Sequence, residues 1–224
     1  MEGLLLIALG SLLLYALLTR AVLHEWQPLL EWDGAWKQRL HEHGRFHPQL
    51  VALFRAFTTL SNTDMLFFEA ALVTTVLAVR RHWRLAFVWF TAIFGGYFLV
   101  EALKAVVDRP RPFFPDPFVF TSTGSFPSGH ASGAVLVFGL QAYLVARFWP
   151  KWRYVSFACC GAIILTMGFS RLYLGAHWFS DVLGGFLLAL AWDLMAIAGM
   201  KFIPRSVAVS DAAPANTPAT APLR

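Results

Sequence analysis

The sequence predicts an all-α fold, a bundle of six transmembrane helices with an amphipathic segment at the membrane interface. Of its 224 residues, 58% are hydrophobic and 14% are charged, whereas soluble domains have about half and about a quarter. The apolar residues form six segments, each near the ~20 residues that a helix needs to cross a bilayer. These segments are 3–19, 64–80, 85–105, 131–149, 154–170 and 182–203.

The two ends of the chain have different predicted states. The first apolar segment has no basic region before it and no small-residue cleavage site after it, so we expect a retained helix rather than a signal peptide. From Ser206 onward the chain is mainly Ala, Pro, Thr and Ser without periodicity, which is typical of disorder. We therefore expect one membrane domain over 1–205 and a disordered tail over 206–224.

Residues 20–63, between the first two apolar segments, carry charges among aromatic residues. Leu29, Trp32, Trp36 and Leu40 recur at three- and four-residue steps, with polar residues between them. This spacing favours a helix that lies along the membrane surface.

The histidines of this segment and the cysteines of the chain predict no metal site. No acidic or cysteine residue stands at metal-ligand spacing from the histidines. We expect all four at the membrane surface, namely His24, His41, His43 and His47. Cys159 and Cys160 are neighbours in an apolar run, so they provide neither a disulfide framework nor zinc spacing, and we expect them to be inert packing residues.

The basic residues predict the orientation of the chain. The net charge is +5, but the bases are scattered between apolar segments, which argues against nucleic acid as a partner and for a bias at the membrane surface. In a six-span arrangement three basic regions fall on one side, namely Arg80, Arg81 and Arg84, then Arg147, Lys151 and Arg153, then Lys201 and Arg205. The positive-inside rule places them in the cytoplasm. We therefore expect a plasma (inner) membrane protein with both termini inside and its polar clusters outside.

The first of three polar clusters closes the third apolar segment. Lys104 is followed seven residues later by Arg111, which stands between Pro110 and Pro112. The prolines restrict the backbone and prevent the helix from continuing, so we expect the guanidinium at a fixed place near the membrane surface. Two bases that snorkel from a helix end would give the same pattern, and for this cluster alone that alternative stays open.

The second cluster, Ser128, Gly129 and His130, follows Pro127 and directly precedes the fourth apolar segment. Free N–H groups and the positive end of the helix dipole at Ser128 and Gly129 favour an anion. The serine hydroxyl can donate to a phosphate, and His130 on the first turn can reach a leaving-group oxygen. An ordinary helix cap followed by an interfacial histidine is the alternative.

The third cluster contains Arg171, His177 and Asp181. If 177–181 is helical, His177 and Asp181 lie four residues apart on one face. A carboxylate on one imidazole nitrogen fixes the tautomer and leaves the other nitrogen as a nucleophile. The planar fork of Arg171 can hold two phosphate oxygens. A structural His–Asp pair that caps the last helix is the alternative.

The three clusters together resemble the type 2 phosphatidic acid phosphatase superfamily, which includes the vanadium haloperoxidases. The pattern Lys-x6-Arg-Pro, Pro-Ser-Gly-His, Ser-Arg-x5-His-x3-Asp is present in order over 104–181. The resemblance implies that His177 is the nucleophile, Asp181 its orienting partner and His130 the acid for the leaving group. It also implies a set of phosphate-binding residues, namely Lys104, Arg111, Ser128, Gly129 and Arg171.

The predicted function is therefore an integral membrane lipid phosphatase that uses a phosphohistidine. We predict neither cofactor nor metal, because three cations can neutralise the developing charge and no acidic cluster suits Mg²⁺. Candidate substrates are undecaprenyl diphosphate, phosphatidylglycerol phosphate and phosphatidic acid. A lipid phosphotransferase with the same intermediate, and a transporter or scaffold without turnover, remain alternatives, while the membrane spans disfavour a haloperoxidase.

Three further polar residues have predicted roles outside the catalytic set. Asp193 falls near the middle of the last apolar segment, where we expect a hydrogen bond between helices rather than catalysis. Asp108 and Arg109 inside the first motif either tune the phosphate site or pair with each other.

Overall fold

The computed structural model describes residues 1–59, 62–120 and 123–203, and these residues form helices and loops without a strand. This described part of the chain has nine α-helices, namely α1 (Glu2–Leu23), α2 (Gln27–Phe46), α3 (Pro48–Thr58), α4 (Thr63–Val79), α5 (Trp83–Val107), α6 (Gly129–Ala134), α7 (Leu140–Phe148), α8 (Arg153–Tyr173) and α9 (Phe179–Lys201). A π-helical turn, Val135–Gly139, joins α6 to α7, and a 3-10 turn, Pro150–Trp152, precedes α8. The predicted tail over 206–224 lies outside the described residues.

The membrane-spanning helices correspond to the predicted apolar segments. In the described part of the chain, five helices are long and apolar enough to cross a membrane: α1, α5, the continuous Gly129–Phe148, α8 with its preceding turn, and α9. A sixth crossing results if α3 and α4, which meet at an angle of 42°, form one bent span. The prediction of an all-α membrane bundle is confirmed, and the second predicted span, 64–80, corresponds to α4.

Helix α9 lies at the centre of the bundle and packs against α1, α5 and α6. The largest apolar cluster joins it to α4, α5 and the π-helical turn through buried side chains such as Trp89, Leu136 and Met200. At Gly185 a Cβ would stand 2.8 Å from the carbonyl oxygen of Ser128. Close approach through small residues is the usual way in which membrane helices pack, and here it brings the start of α6 onto α9.

The bundle has two chemically different ends. At one end His82 lies against Phe148, with ring centroids 5.0 Å apart, and Arg147 donates to the carbonyl oxygen of Met200 at 3.3 Å. The predicted cytoplasmic loops after α4 and α7 therefore meet the end of α9. The three polar clusters lie at the opposite end, where α5 and α8 end and α6 and α9 begin.

The segment 20–63 differs from the single amphipathic helix that its periodicity predicts. The first helix continues to Leu23, and two helices, α2 and α3, follow it. On α2 the buried side chains are polar or small, namely Asp33, His41 and Gly44. The expectation of a surface position was wrong for His41, which is buried beneath Phe114 and pairs with Asp116 at 3.0 Å.

Asp193 is buried, at 2% exposure, but the predicted hydrogen bond between helices was wrong. Within the described residues neither of its carboxylate oxygens has a hydrogen-bond partner. The carboxylate instead packs against the π-helical turn, where a Cβ at Gly139 would overlap Oδ2.

Candidate active site

Two basic side chains of the first cluster reach the same cavity from different directions. Lys104 lies in the last turn of α5, with its Nζ 2.6 Å from Oε1 of Glu101. Arg111 lies in the following loop, where its Nε donates to the carbonyl oxygen of Thr123 at 2.7 Å and its Nη1 to that of Ala176 at 2.8 Å. Burial lowers the pKa of Arg111, but a guanidinium loses its proton only far above neutral pH. The loop thus holds a fixed positive charge.

The second cluster places Gly129 and His130 in the cavity wall and Ser128 behind it. Ser128 is fully buried, and its Oγ caps α6 by accepting from the N–H of Ala131 at 3.5 Å. The hydroxyl therefore caps the helix, which was the alternative prediction for this cluster. Among the described residues, Ser128 does not line the cavity. At Gly129 a Cβ would stand 2.8 Å from the Nζ of Lys104. The missing side chain therefore leaves room for the ammonium beside the first turn of α6.

His130 is held by a residue that the sequence patterns did not single out. Its Nε2 lies 3.0 Å from Oδ1 of Asn62, at the start of α4. An amide oxygen accepts only, so Nε2 carries the proton in this contact and Nδ1 has the free lone pair. Asparagine is common at a helix start, which could have marked Asn62 as a cap but not as a partner of His130.

His177 has its two ring nitrogens in different chemical roles. Nδ1 lies 2.9 Å from the carbonyl oxygen of Ser125, which can only accept, so Nδ1 carries the proton. Nε2 lies 3.1 Å from Nη1 of Arg111, which can only donate, so Nε2 is unprotonated. Burial, reinforced by the charges of Arg111 and Arg171, holds the pKa of His177 well below its ordinary value of 6.5. The ring is therefore neutral at physiological pH, with its free lone pair towards the cations.

Asp181 contacts His177 less directly than the sequence predicts. The segment between them is not one helical turn, because Trp178 is the N-cap of α9 and His177 precedes it. Oδ2 of Asp181 accepts from the N–H of Trp178 at 2.8 Å and lies 3.4 Å from Nδ1 of His177. Oδ1 accepts from Arg109 at 2.7 Å. The nearest partner of the imidazole N–H is thus the Ser125 carbonyl, which acts through the backbone and leaves no sequence signal.

Residues from all three clusters line one cavity of about 340 Å³ at the end of the bundle. Its polar wall contains three cations, Lys104, Arg111 and Arg171, and both histidines, while Leu66, Val100 and Leu136 line its deeper part. Arg171 is 4% exposed, and within the described residues its Nε has no hydrogen-bond partner. A buried donor beside two further cations suits a ligand with several anionic oxygens.

The charged side chains that line the cavity are mostly cations. The described residues contain no group of three or more His, Cys, Asp or Glu side chains that could bind one. Glu101, the carboxylate in the cavity wall, pairs with Lys104. The donors that face the cavity suit an anion instead.

Comparison with known proteins decides the family. Residues 85–204, which include all three clusters, match the PAP2 superfamily, the type 2 phosphatidic acid phosphatases named above. The chain belongs to this superfamily. The predicted resemblance is thereby confirmed, although the roles of the individual PAP2 site residues stay predictions.

Curated PAP2 relatives align with the part of the chain that contains the site. Phosphatidylglycerophosphatase B of Bacillus subtilis (strain 168) is 41% identical over 95 residues, 41% of this chain and 46% of that protein. A lipid A 1-phosphatase of Rhizobium johnstonii is 33% identical over 122 residues, 50% of this chain and 46% of that protein. An undecaprenyl-diphosphatase of Sulfolobus acidocaldarius is 34% identical over 95 residues, 40% and 43% of the two chains. The chain thus spans about half the length of the curated relatives that it matches.

The fold is similar to a solved PAP2 structure over nearly its whole length. The crystal structure of a transmembrane PAP2 type phosphatidylglycerolphosphate phosphatase from Bacillus subtilis superimposes with a TM-score of 0.81 and 25% sequence identity. The match covers 89% of this chain and 98% of that one.

Proposed function

We propose that this protein is an integral membrane phosphatase that removes a terminal phosphate from a lipid through a phosphohistidine at His177. The observation that carries the proposal is the unprotonated Nε2 of His177, which lies 3.1 Å from Arg111 at a cavity with three cations. An imidazole whose Nδ1–H is fixed by a hydrogen bond and whose Nε2 is unprotonated, in a cationic pocket, is an activated nucleophile for an anionic phosphoryl group.

The first step transfers the phosphoryl group to the protein. The Nε2 lone pair of His177 attacks phosphorus, and the bond between phosphorus and the lipid oxygen breaks. Protonated His130 gives its proton to that oxygen, so the lipid leaves as a neutral alcohol or as a lipid monophosphate. Lys104, Arg111 and Arg171 stabilise the charge on the phosphoryl oxygens, which is the largest contribution that such a site makes.

The second step releases inorganic phosphate. Neutral His130 accepts a proton from water, whose oxygen attacks phosphorus while the bond from phosphorus to Nε2 breaks. His177 returns to its neutral form and His130 to its protonated form. The anionic phosphoryl group offsets the neighbouring positive charges, and so it favours protonated His130 while substrate is bound.

The relatives define the substrates to test. Their names include a phosphatidylglycerophosphatase, lipid A phosphatases and an undecaprenyl-diphosphatase, so each acts on a phosphate carried by a lipid. We propose the same substrate class here, with undecaprenyl diphosphate, phosphatidylglycerol phosphate and phosphatidic acid as candidates. The apolar deeper wall of the cavity, formed by Leu66, Val100 and Leu136, suits the lipid carbons next to the phosphate.

A phosphate-release assay on purified protein tests this function. With each candidate lipid in detergent, we expect free phosphate from at least one, unchanged by excess EDTA, because cations of the protein stabilise the transferring group. Vanadate should inhibit as a trigonal mimic of that group. Loss of activity with EDTA and recovery with Mg²⁺ would contradict the proposal. Transfer of phosphate to a second lipid without release would identify a phosphotransferase instead.

We further propose that the site faces the periplasm or exterior, with both termini in the cytoplasm. The basic loops meet at the opposite end of the bundle, as the positive-inside rule requires of cytoplasmic loops. In a chain without native cysteines, Phe120→Cys should react with an impermeant maleimide added to intact cells, and Lys151→Cys only after permeabilisation. Both positions are exposed. The reverse labelling pattern would place the site in the cytoplasm.

A further inference from the structure

Helix α2 contributes one buried carboxylate to the end of the bundle that holds the site. Asp33 is 1% exposed, although most side chains of α2 face outward. A carboxylate at such a place is stable only when hydrogen bonds and an opposite charge replace its water. The partners of Asp33 therefore indicate what it holds.

Among the described residues, the hydrogen-bond partners of Asp33 belong to the segments that carry the third and first clusters. Its Oδ1 accepts from the N–H of Ser180 at 2.9 Å, and its Oδ2 accepts from the hydroxyl of Ser180 at 2.5 Å. Ser180 is in the first turn of α9, where backbone N–H groups have no partner inside the helix. Oδ2 also accepts from Nη2 of Arg109 at 2.8 Å. Asp33 thus caps α9 from another helix and binds Arg109, which lies between Lys104 and Arg111 of the first cluster.

Arg109 continues this network towards the nucleophile along two routes. Its Nη1 donates to Oδ1 of Asp181 at 2.7 Å, and the other oxygen of Asp181 fixes the N–H of Trp178. Its backbone carbonyl accepts from the N–H of Ser125 at 2.8 Å. The carbonyl of Ser125 in turn accepts from Nδ1 of His177. The route through Asp181 fixes the backbone N–H of Trp178, directly after His177. The route through Ser125 fixes the carbonyl group that orients the His177 ring.

We propose that Asp33 is a positioning residue for the His177 nucleophile, acting through Ser180 and Arg109. Arg109 is 9% exposed and sits between two buried carboxylates, so loss of Asp33 changes its place and with it both routes to His177. Asp33 makes no contact with Lys104, Arg111 or Arg171 in the hydrogen bonds described above, so substrate binding should persist while the attack geometry deteriorates. The proposal rests on the proposed phosphatase function of the same site.

The test compares Asp33→Asn with Asp116→Asn in purified protein. Asp116 also binds α2, through His41 and Arg45, but it is half exposed and has no contact with α9 in these pairs. For Asp33→Asn we expect kcat to fall about 10- to 100-fold, the usual cost of disturbing an orienting partner, with KM within about twofold of wild type. For Asp116→Asn we expect kcat within about twofold, as for an exposed ion pair.

Two further measurements make the result decisive. The Ser180 hydroxyl accepts from Nη1 of Arg109 at 2.7 Å and donates to Asp33, so Ser180→Ala removes this link. Its effect on kcat should be non-additive with that of Asp33→Asn, and this variant also serves if Asp33→Asn does not fold. The rate at which diethylpyrocarbonate modifies His177, followed by mass spectrometry, should rise in Asp33→Asn and not in Asp116→Asn, because the ring is less firmly held. This readout needs no substrate, so it separates a failure of the positioning role from a failure of the phosphatase function.

Unchanged kcat in a folded Asp33→Asn protein, beside an active wild type, would overturn the proposal. A rise in KM at constant kcat would overturn it as well, because that result assigns Asp33 to substrate binding. If the wild type releases no phosphate, an unchanged modification rate of His177 in Asp33→Asn would still overturn the positioning role.

Discussion

Replacing His177 by asparagine is expected to abolish phosphate release, with a fall in kcat of roughly 10⁴-fold or more, as for other nucleophiles whose removal ends covalent catalysis. Asparagine retains an N–H that can reach the carbonyl of Ser125, which otherwise would be a buried acceptor without its partner, at a cost of about 1–3 kcal/mol. The variant should therefore fold, and phosphate release under saturating lipid measures the loss of the nucleophile alone.

Two controls define the meaning of that result. His43→Ala removes an exposed imidazole that bonds to the hydroxyl of Tyr173 outside the cavity, and it should leave kcat unchanged. Asp181→Asn should cost less than His177→Asn, because it disturbs the loop without deleting the nucleophile. Activity above a few per cent in His177→Asn would assign the nucleophile to another residue.

The second large effect is expected from His130→Ala. A general acid and base contributes about 10²–10⁴-fold, so hydrolysis of an alkyl phosphate lipid should fall by that amount. An aryl phosphate such as p-nitrophenyl phosphate needs no proton on its leaving group, so its first step should survive and its second should not. The variant should then release about one nitrophenolate per protein molecule in a burst, followed by slow turnover.

The burst distinguishes loss of proton transfer by His130 from loss of a phosphate-binding cation. Loss of a phosphate-binding cation slows both steps for both substrates, so Arg171→Ala should show no burst. Equal losses of His130→Ala on lipid and aryl substrates, without a burst, would contradict the proton-transfer role of His130.

The sequence predicted the bundle well because hydropathy acts over whole helices. The third predicted span, 85–105, corresponds to Trp83–Val107, and the last, 182–203, to Phe179–Lys201. A membrane helix must satisfy its backbone internally, so an apolar run of sufficient length leaves few alternative structures. The ends of these two spans differ by two to three residues because caps such as the Trp178–Asp181 contact depend on local hydrogen bonds.

The sequence also predicted that the three clusters meet, because each stands at an end of an apolar run on the same side of the membrane. It could not predict which groups inside that set touch. The ring of His177 is oriented by a backbone carbonyl at Ser125, and Ser128 uses its hydroxyl to cap α6. Such contacts depend on the loop residues 109–120 and 123–127, whose sequence has no periodic pattern.

The contribution of α2 was the least predictable part of the site. Its apolar positions suggested a helix on the membrane surface, whereas its buried residues include Asp33 and His41. Asp108 and Arg109 were expected to pair with each other or to tune the phosphate site, and in the structure Arg109 binds Asp33 and Asp181. A carboxylate 76 residues away from its guanidinium partner becomes visible only when the helices are docked.

A covalent phosphoryl group on His177 can be trapped and located. Protein mixed with lipid substrate labelled in its terminal phosphate is quenched with alkali within one turnover, since phosphohistidine is acid-labile, and the peptides are sequenced by mass spectrometry. We expect a phosphate on the peptide that contains His177, discharged by acid and absent from His177→Asn. Label on a different residue, or rapid phosphate release with no labelled peptide at any time within the first turnover, would contradict it.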